Sequence, residues 1–228
     1  MTILNIETST SVCSIAISNN GKCIFKKSNF EGMNHAALLS GFVAESLEML
    51  KKESITLDAI AISSGPGSYT GLRIGTSTAK GLCFGLDIPL ISLSTLEIMT
   101  TDAVLKVNND EYIFCPMIDA RRMEVYTALY DIKLNTLQDI NAKIIDNKSF
   151  NEYLETGKLC FFGNGADKCK DIITHPNALF IDQIHPLAEN MIVLAEKAYR
   201  NDNFVNLTYY EPFYLKEFYT TATQLNFN

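Results

Sequence analysis

With 228 residues the chain can bury a core without disulfide or metal staples, and its 26 acidic against 19 basic residues, net −7, exclude a protein that grips nucleic acid over a broad basic surface. Its most apolar region, Leu82 to Leu93, is broken by Gly85, Asp87 and Pro89, so no stretch reads as a membrane span. The start lacks the basic and small-residue pattern of a signal peptide, and a cytoplasmic location without membrane partners is expected.

In chain order, apolar or alternating segments predict strands at about 2–7, 12–18 and 22–28, with Asn19-Asn20-Gly21 as a hairpin turn. Leu38, Leu39, Phe42, Val43, Leu47 and Leu50 then follow helical spacing over about 34–52. A strand at 57–63, a glycine-rich helix, a strand at 88–93 and a helix from Ser94 to about Leu105 complete this half. The second half predicts strands at 111–119 and 123–131, and a weaker extended piece within 134–146. Helix 148–155, strand 158–162, helix 166–173, strand 178–181 and helix 186–201 follow. Both halves read βββαβαβα, which divides the chain into an N-terminal lobe, 1–106, and a C-terminal lobe, 107–228.

A doubled unit of this order resembles the actin, Hsp70 and sugar-kinase superfamily. That resemblance implies an α/β fold made of two ribonuclease H-like lobes with a cleft between them. It places Glu7-Thr8-Ser9 opposite Asp119-Ala120-Arg121, and sets the turns Ser64-Gly65-Pro66-Gly67 and Gly163-Asn164-Gly165-Ala166 on the same cleft. Thr8 and Ser9 offer hydroxyls of the type that hold a phosphate, and the second glycine turn resembles a loosened adenosine loop. Thr8, Ser9, Gly65, Gly67, Asp119, Gly163 and Gly165 are therefore the candidate nucleotide-cleft residues. An ordinary polar hairpin accounts equally well for the first group.

Six of the twelve glycines fall between Gly65 and Gly85. Gly75 and Gly81 lie inside the predicted helix, where each costs about 1 kcal/mol relative to alanine. Gly71, Gly75 and Ala79 recur at four-residue spacing, which predicts a smooth face on which another helix can pack closely. The run is not a Walker loop, because no Gly-Lys-Ser/Thr follows, and three residues rather than two separate Gly67 from Gly71, which excludes the dinucleotide fingerprint. Gly75-Thr-Ser77-Thr-Ala79 falls inside a helix and not on a strained elbow, which argues against a serine hydrolase. His35, His175 and His185 lack metal-ligand spacing, and the six cysteines form no Cys-x-x-Cys pair and read as buried free thiols. Asp119-Ala-Arg121-Arg122 is either a solvated turn or a charged group facing the cleft, where arginine would pair with a phosphate or a carboxylate. The aromatic tail around Tyr210-Glu-Pro-Phe-Tyr-Leu-Lys216 is expected to pack on the second lobe.

Ile6-Glu-Thr-Ser-Thr10, the run Ser64 to Gly75 with Ala79-Lys-Gly-Leu82, Ile118-Asp-Ala-Arg121 and Glu211-Pro-Phe-Tyr-Leu-Lys216 together resemble the bacterial TsaB (YeaZ) family over almost the whole chain. The resemblance implies a part in making threonylcarbamoyladenosine beside the anticodon of tRNAs that read codons starting with A. It implies a non-catalytic scaffold, with transfer performed by the related subunit TsaD and help from the ATPase TsaE. tRNA would be met only through that complex, no cofactor would be required by this subunit, and ATP or ADP would bind at the complex interface. The family pairs through N-lobe helices, with TsaD or as a homodimer, and the residues carried over to that surface are His35, Leu38, Leu39, Phe42, Gly71, Leu72, Gly75 and Ala79. Gly75→Leu is then expected to abolish pairing and spare the fold. The alternatives are an independent ATPase or kinase using the cleft, and a peptidase after an older glycoprotease label.

Overall fold

The computed structural model describes residues 1–32 and 34–216. The first lobe runs β1 (Thr2–Glu7), β2 (Cys13–Asn19), β3 (Lys22–Asn29), α1 (His35–Lys52), β4 (Ala59–Ser63), α2 (Tyr69–Leu86), β5 (Leu90–Leu93) and α3 (Thr95–Val107). The second runs β6 (Tyr112–Asp119), β7 (Glu124–Tyr130), β8 (Thr136–Ile144), α4 (Asn151–Leu154), β9 (Lys158–Phe162), β10 (Ala178–Ile181) and α5 (Ile192–Arg200). The sheets have the orders β3-β2-β1-β4-β5 and β8-β7-β6-β9-β10, so the same topology occurs twice. In each, the first strand pairs antiparallel with its hairpin partner and parallel with the strand that follows the first helix. The chain therefore has the duplicated ribonuclease H-like fold. Two helices shrink relative to their predicted spans. Only Asn151–Leu154 of 148–155 is α-helical, and 166–173 holds a single 3-10 turn at Asp167–Cys169.

β1 is buried along its whole length because both faces of its sheet are covered. One face packs Leu4, Ile6, Ile15 and Ile62 against Leu39, Val43, Ala79 and Cys83 of α1 and α2. The other packs Ile3, Ala16, Ala61 and Ile91 against Leu194, Ala195 and Ala198 of α5, which belongs to the second half of the chain. α3 makes the opposite exchange: its Leu96, Met99 and Ala103 pack on Phe114, Ile118 and Phe162 of the second sheet. Each lobe thus covers one sheet face with a helix from the other, and chain order does not follow packing at either crossover.

The aromatic tail also departs from expectation. Tyr210 packs on the first core, its hydroxyl lies 3.1 Å from Ser92 Oγ, and the Phe213 N–H donates to Ser64 O at 2.8 Å. The tail lies on the first lobe because the half-buried edge beside β5 and α2 offers both apolar cover and free carbonyls, and Val205 bridges Leu90 there.

The glycine face of α2 is sealed by the chain's own turn after β1. Thr8 Oγ1 donates to Gly71 O at 2.8 Å, and a Cβ at Gly71 would run into the Thr8 carbonyl oxygen while one at Gly75 would run into Thr8 Oγ1. The face therefore admits an internal backbone rather than a partner helix. Gly75→Leu is accordingly expected to destabilise the fold itself by about 3 kcal/mol or more, seen as a lowered urea midpoint in the isolated chain.

Candidate functional site between the lobes

A cleft of about 1800 Å³ separates the lobes and is lined by Ser9, Gly67, Asp119, Arg121 and Asn164 among others, so the expected strand tips do meet. Some of their backbone groups are bonded to one another. The Ser68 N–H donates to Ser9 O at 2.6 Å, a Cβ at Gly67 would collide with the same oxygen, and Ser68 Oγ caps α2 by accepting from Gly71 N at 3.2 Å. Gly65, at φ +111°, faces the Phe213 carbonyl, which would lie 2.7 Å from a Cβ there. On the other side the Gly165 N–H donates to Met117 O at 3.0 Å, and a Cβ at Gly165 would stand 2.8 Å from the Ile118 carbonyl carbon. Gly163, at φ +96°, is closed in by Met99 and Met117. Thr8, only 3% exposed, has its hydroxyl committed to α2. The Ser68 and Gly165 N–H groups and the Thr8 hydroxyl are thus already bonded within the chain and are not free to hold a phosphate.

Asp119 is an anchor for the hairpin between β6 and β7. Its Oδ1 accepts from Arg121 N at 2.9 Å and from Lys168 Nζ, while its own N–H donates to Asn164 Oδ1 at 3.1 Å. Lys168 also donates to the carbonyls of Arg122 and Glu124, each at 2.7 Å, tying the glycine turn after β9 to the hairpin. Sequence reasoning did not single out Lys168; its place one turn after Gly165 was the available signal. Across the cleft, the Arg73 guanidinium sits 4.1 Å over the Tyr69 ring and donates to the Tyr214 hydroxyl at 3.4 Å, and Lys216 reaches Glu124 Oε2 at 2.5 Å. The tail thus runs from the first lobe to the second.

The carried-over pairing residues divide sharply. Leu39, Leu72 and Ala79 are core residues, and Gly71 and Gly75 lie under Thr8, so none of these five is available to a partner. Leu38 and Phe42 are half-buried against the same core. His35 Nε2 lies 2.9 Å from Thr10 O and positions the start of α1 beside the cleft. Five of the six free cysteines are buried and Cys23 is exposed. Among the described residues no group of His, Cys, Asp or Glu is arranged to hold a metal, and no helix is long and apolar enough to cross a membrane.

Glu7, at the end of β1, is fully buried. Burial pushes its carboxyl up to about 7, opposed by the Ser9 and Ser63 hydroxyls and by the hydrogen bond that Oε1 accepts from Ser9 N. Its other oxygen is buried without a partner among the described residues.

The TsaB protein of Escherichia coli K12 is 30% identical over 224 residues, covering 95% of each chain. This chain belongs to the TsaB (YeaZ) family. The TsaB protein of Buchnera aphidicola from Acyrthosiphon pisum is 30% identical, covering 91% of this chain and 97% of that one. The match to Bacillus subtilis TsaB is 34% identical but spans 61% of this chain and 59% of that protein. The family model described as "TsaD: tRNA N6-adenosine threonylcarbamoyltransferase" matches residues 30–220, and the transferase of that name from Symbiobacterium thermophilum is 40% identical over 63 residues, 28% of this chain and 18% of that one. The solved structure "YeaZ from Pseudomonas aeruginosa" superposes with a TM-score of 0.80 at 25% identity over 94% of this chain and 99% of that one. TsaB-type and TsaD-type chains are therefore relatives of one another as well as of this chain.

The Glu7 carboxyl sets a pH dependence with a defined sign. Between 4.5 and about 7 the folded chain holds a proton that the unfolded chain releases, so stability falls as pH rises through that window. Relative to Glu7→Gln, the wild type is expected to lose up to about 3 kcal/mol across it, measured by urea unfolding at stepped pH.

Proposed function

We propose that this chain is a non-catalytic scaffold of the machinery that places a threonylcarbamoyl group on the N6 of the adenosine beside the tRNA anticodon. It pairs with a TsaD-type sister subunit, or with a second copy of itself, and the pair receives the ATPase TsaE. The homologues' names give the pathway. The observation that carries the pairing role is the outer face of α1 and α2. Phe84 is 85% exposed there, and Gly41, Gly81 and Gly85 border open space in which a Cβ would meet nothing within 4 Å. Ala37 and Ala44 on α1 and Ser77 on α2 are exposed as well. Low side chains around one protruding ring suit the close approach of another helix pair, and the relationship to TsaD-type chains supplies a partner of similar shape.

This face is the reverse of the one the glycine spacing suggested. Gly71, Gly75 and Ala79 face inward, whereas Ser77, Gly81, Phe84 and Gly85 face out. The close packing around Ser9, Gly67 and Gly165 supports the reading of a scaffold over an independent ATPase or kinase. Among the described residues, no serine, cysteine or metal-ligand arrangement supports a peptidase.

Gly81→Arg separates pairing from folding. It improves helix propensity by about 1 kcal/mol, so the isolated chain should melt at the same temperature or higher. Size-exclusion chromatography with a TsaD-type subunit, and of the chain alone, should show loss of the paired species for Gly81→Arg and Phe84→Asp. Unchanged pairing by both variants would remove the proposed surface.

A further inference from the structure

The hairpin between β6 and β7 carries Arg121 and Arg122 in the left-handed region, at φ +70° and +47°. Two consecutive residues of that conformation form a turn that asparagine and glycine fill most easily, and long side chains there are disfavoured. Two of the chain's four arginines nevertheless occupy it. Neither guanidinium has an ion-pair or side-chain hydrogen-bond partner among the described residues, although both residues line the cleft. The carboxylates lining the same cleft are already met: Asp119 by Lys168 and Glu124 by Lys216. Two positive charges without a partner among the described residues therefore stand exposed at the edge of an open cleft in an acidic chain.

The other lining groups narrow the ligand. Tyr126 is half-buried on β7, Phe213 is 43% exposed, and the Tyr69 and Tyr214 rings stand 5.0 Å apart on the opposite wall. Cationic groups facing partly exposed aromatic rings across one cleft suit a single nucleic-acid strand, with arginine on phosphates and rings under bases. The cleft volume of about 1800 Å³ exceeds the roughly 300–1000 Å³ usual for a small-molecule pocket, and its glycine turns offer no enclosed phosphate cradle.

We infer that the Arg121–Arg122 tip and the aromatic rings of the same cleft form a contact site for a single-stranded RNA segment, so that this subunit touches RNA directly. The choice of RNA over other phosphodiesters rests on the tRNA-modification reading above. The contact is local, which agrees with an acidic chain that cannot hold a duplex by broad charge.

The test uses the full chain and fluorescence anisotropy with a labelled 12-nucleotide single-stranded RNA and a labelled, unmodified anticodon stem-loop. Arg121→Asn with Arg122→Gly removes both charges while suiting the turn, so the fold should be retained and the melting temperature held or raised. RNA affinity should fall about tenfold, and the slope of log affinity against log salt should shrink by about 1.4, as expected for two lost phosphate contacts to a single strand. Arg121→Gln with Arg122→Gln should behave alike in binding. Three results would overturn the site: no RNA binding by the wild type, unchanged affinity and salt slope in both variants, or displacement of RNA by ATP or pyrophosphate as effective as by unlabelled RNA. Loss of RNA binding with normal sister-subunit pairing would support this site and leave the scaffold reading standing, whereas absent RNA binding with normal pairing would remove only this site.

Discussion

The close contact between the turn after β1 and the backbone of α2 holds the molecule's functional geometry together. Thr8 reaches Gly71 through its hydroxyl, and only hydrogen at Cα of Gly71 and Gly75 lets the two segments meet. The contact fixes α2 against the central strand of the first sheet, presents Gly67 to Ser9, and turns the opposite side of the helix outward. It explains glycine in a helix interior without a ligand, because the roughly 1 kcal/mol cost per residue is offset by burial of a strand end and its hydrogen bonds.

Exchange of α3 and α5 between the lobes makes the cleft a property of the whole chain. Each sheet is finished by a helix whose sequence belongs to the other half, so neither lobe keeps a complete apolar cover alone. The tail adds a second tie, running from Ser64 past Tyr69 and Arg73 to Glu124. The turns at the base of the cleft are packed against their own chain, while its outer part stays open and is lined by arginine and aromatic groups.

The sequence by itself determined the order of elements, the doubling and the family. Period-two and helical apolar spacing depend on local geometry, and Ile15 opposite Ile6 or Leu39 beside Val43 needs no distant information to be recognised. The superfamily resemblance drawn from that order implied that the tips carrying Ser9, Gly67, Asp119 and Asn164 converge, as they do. Tertiary structure alone decided which face of α2 looks inward, because a four-residue repeat of small side chains is equally compatible with a neighbouring helix and with the chain's own backbone. The presence of Thr8 against that face, 63 residues away in sequence, resolved it. Likewise the tail's placement and the Lys168 tie arise from contacts between distant segments, where local pattern carries no information about the partner.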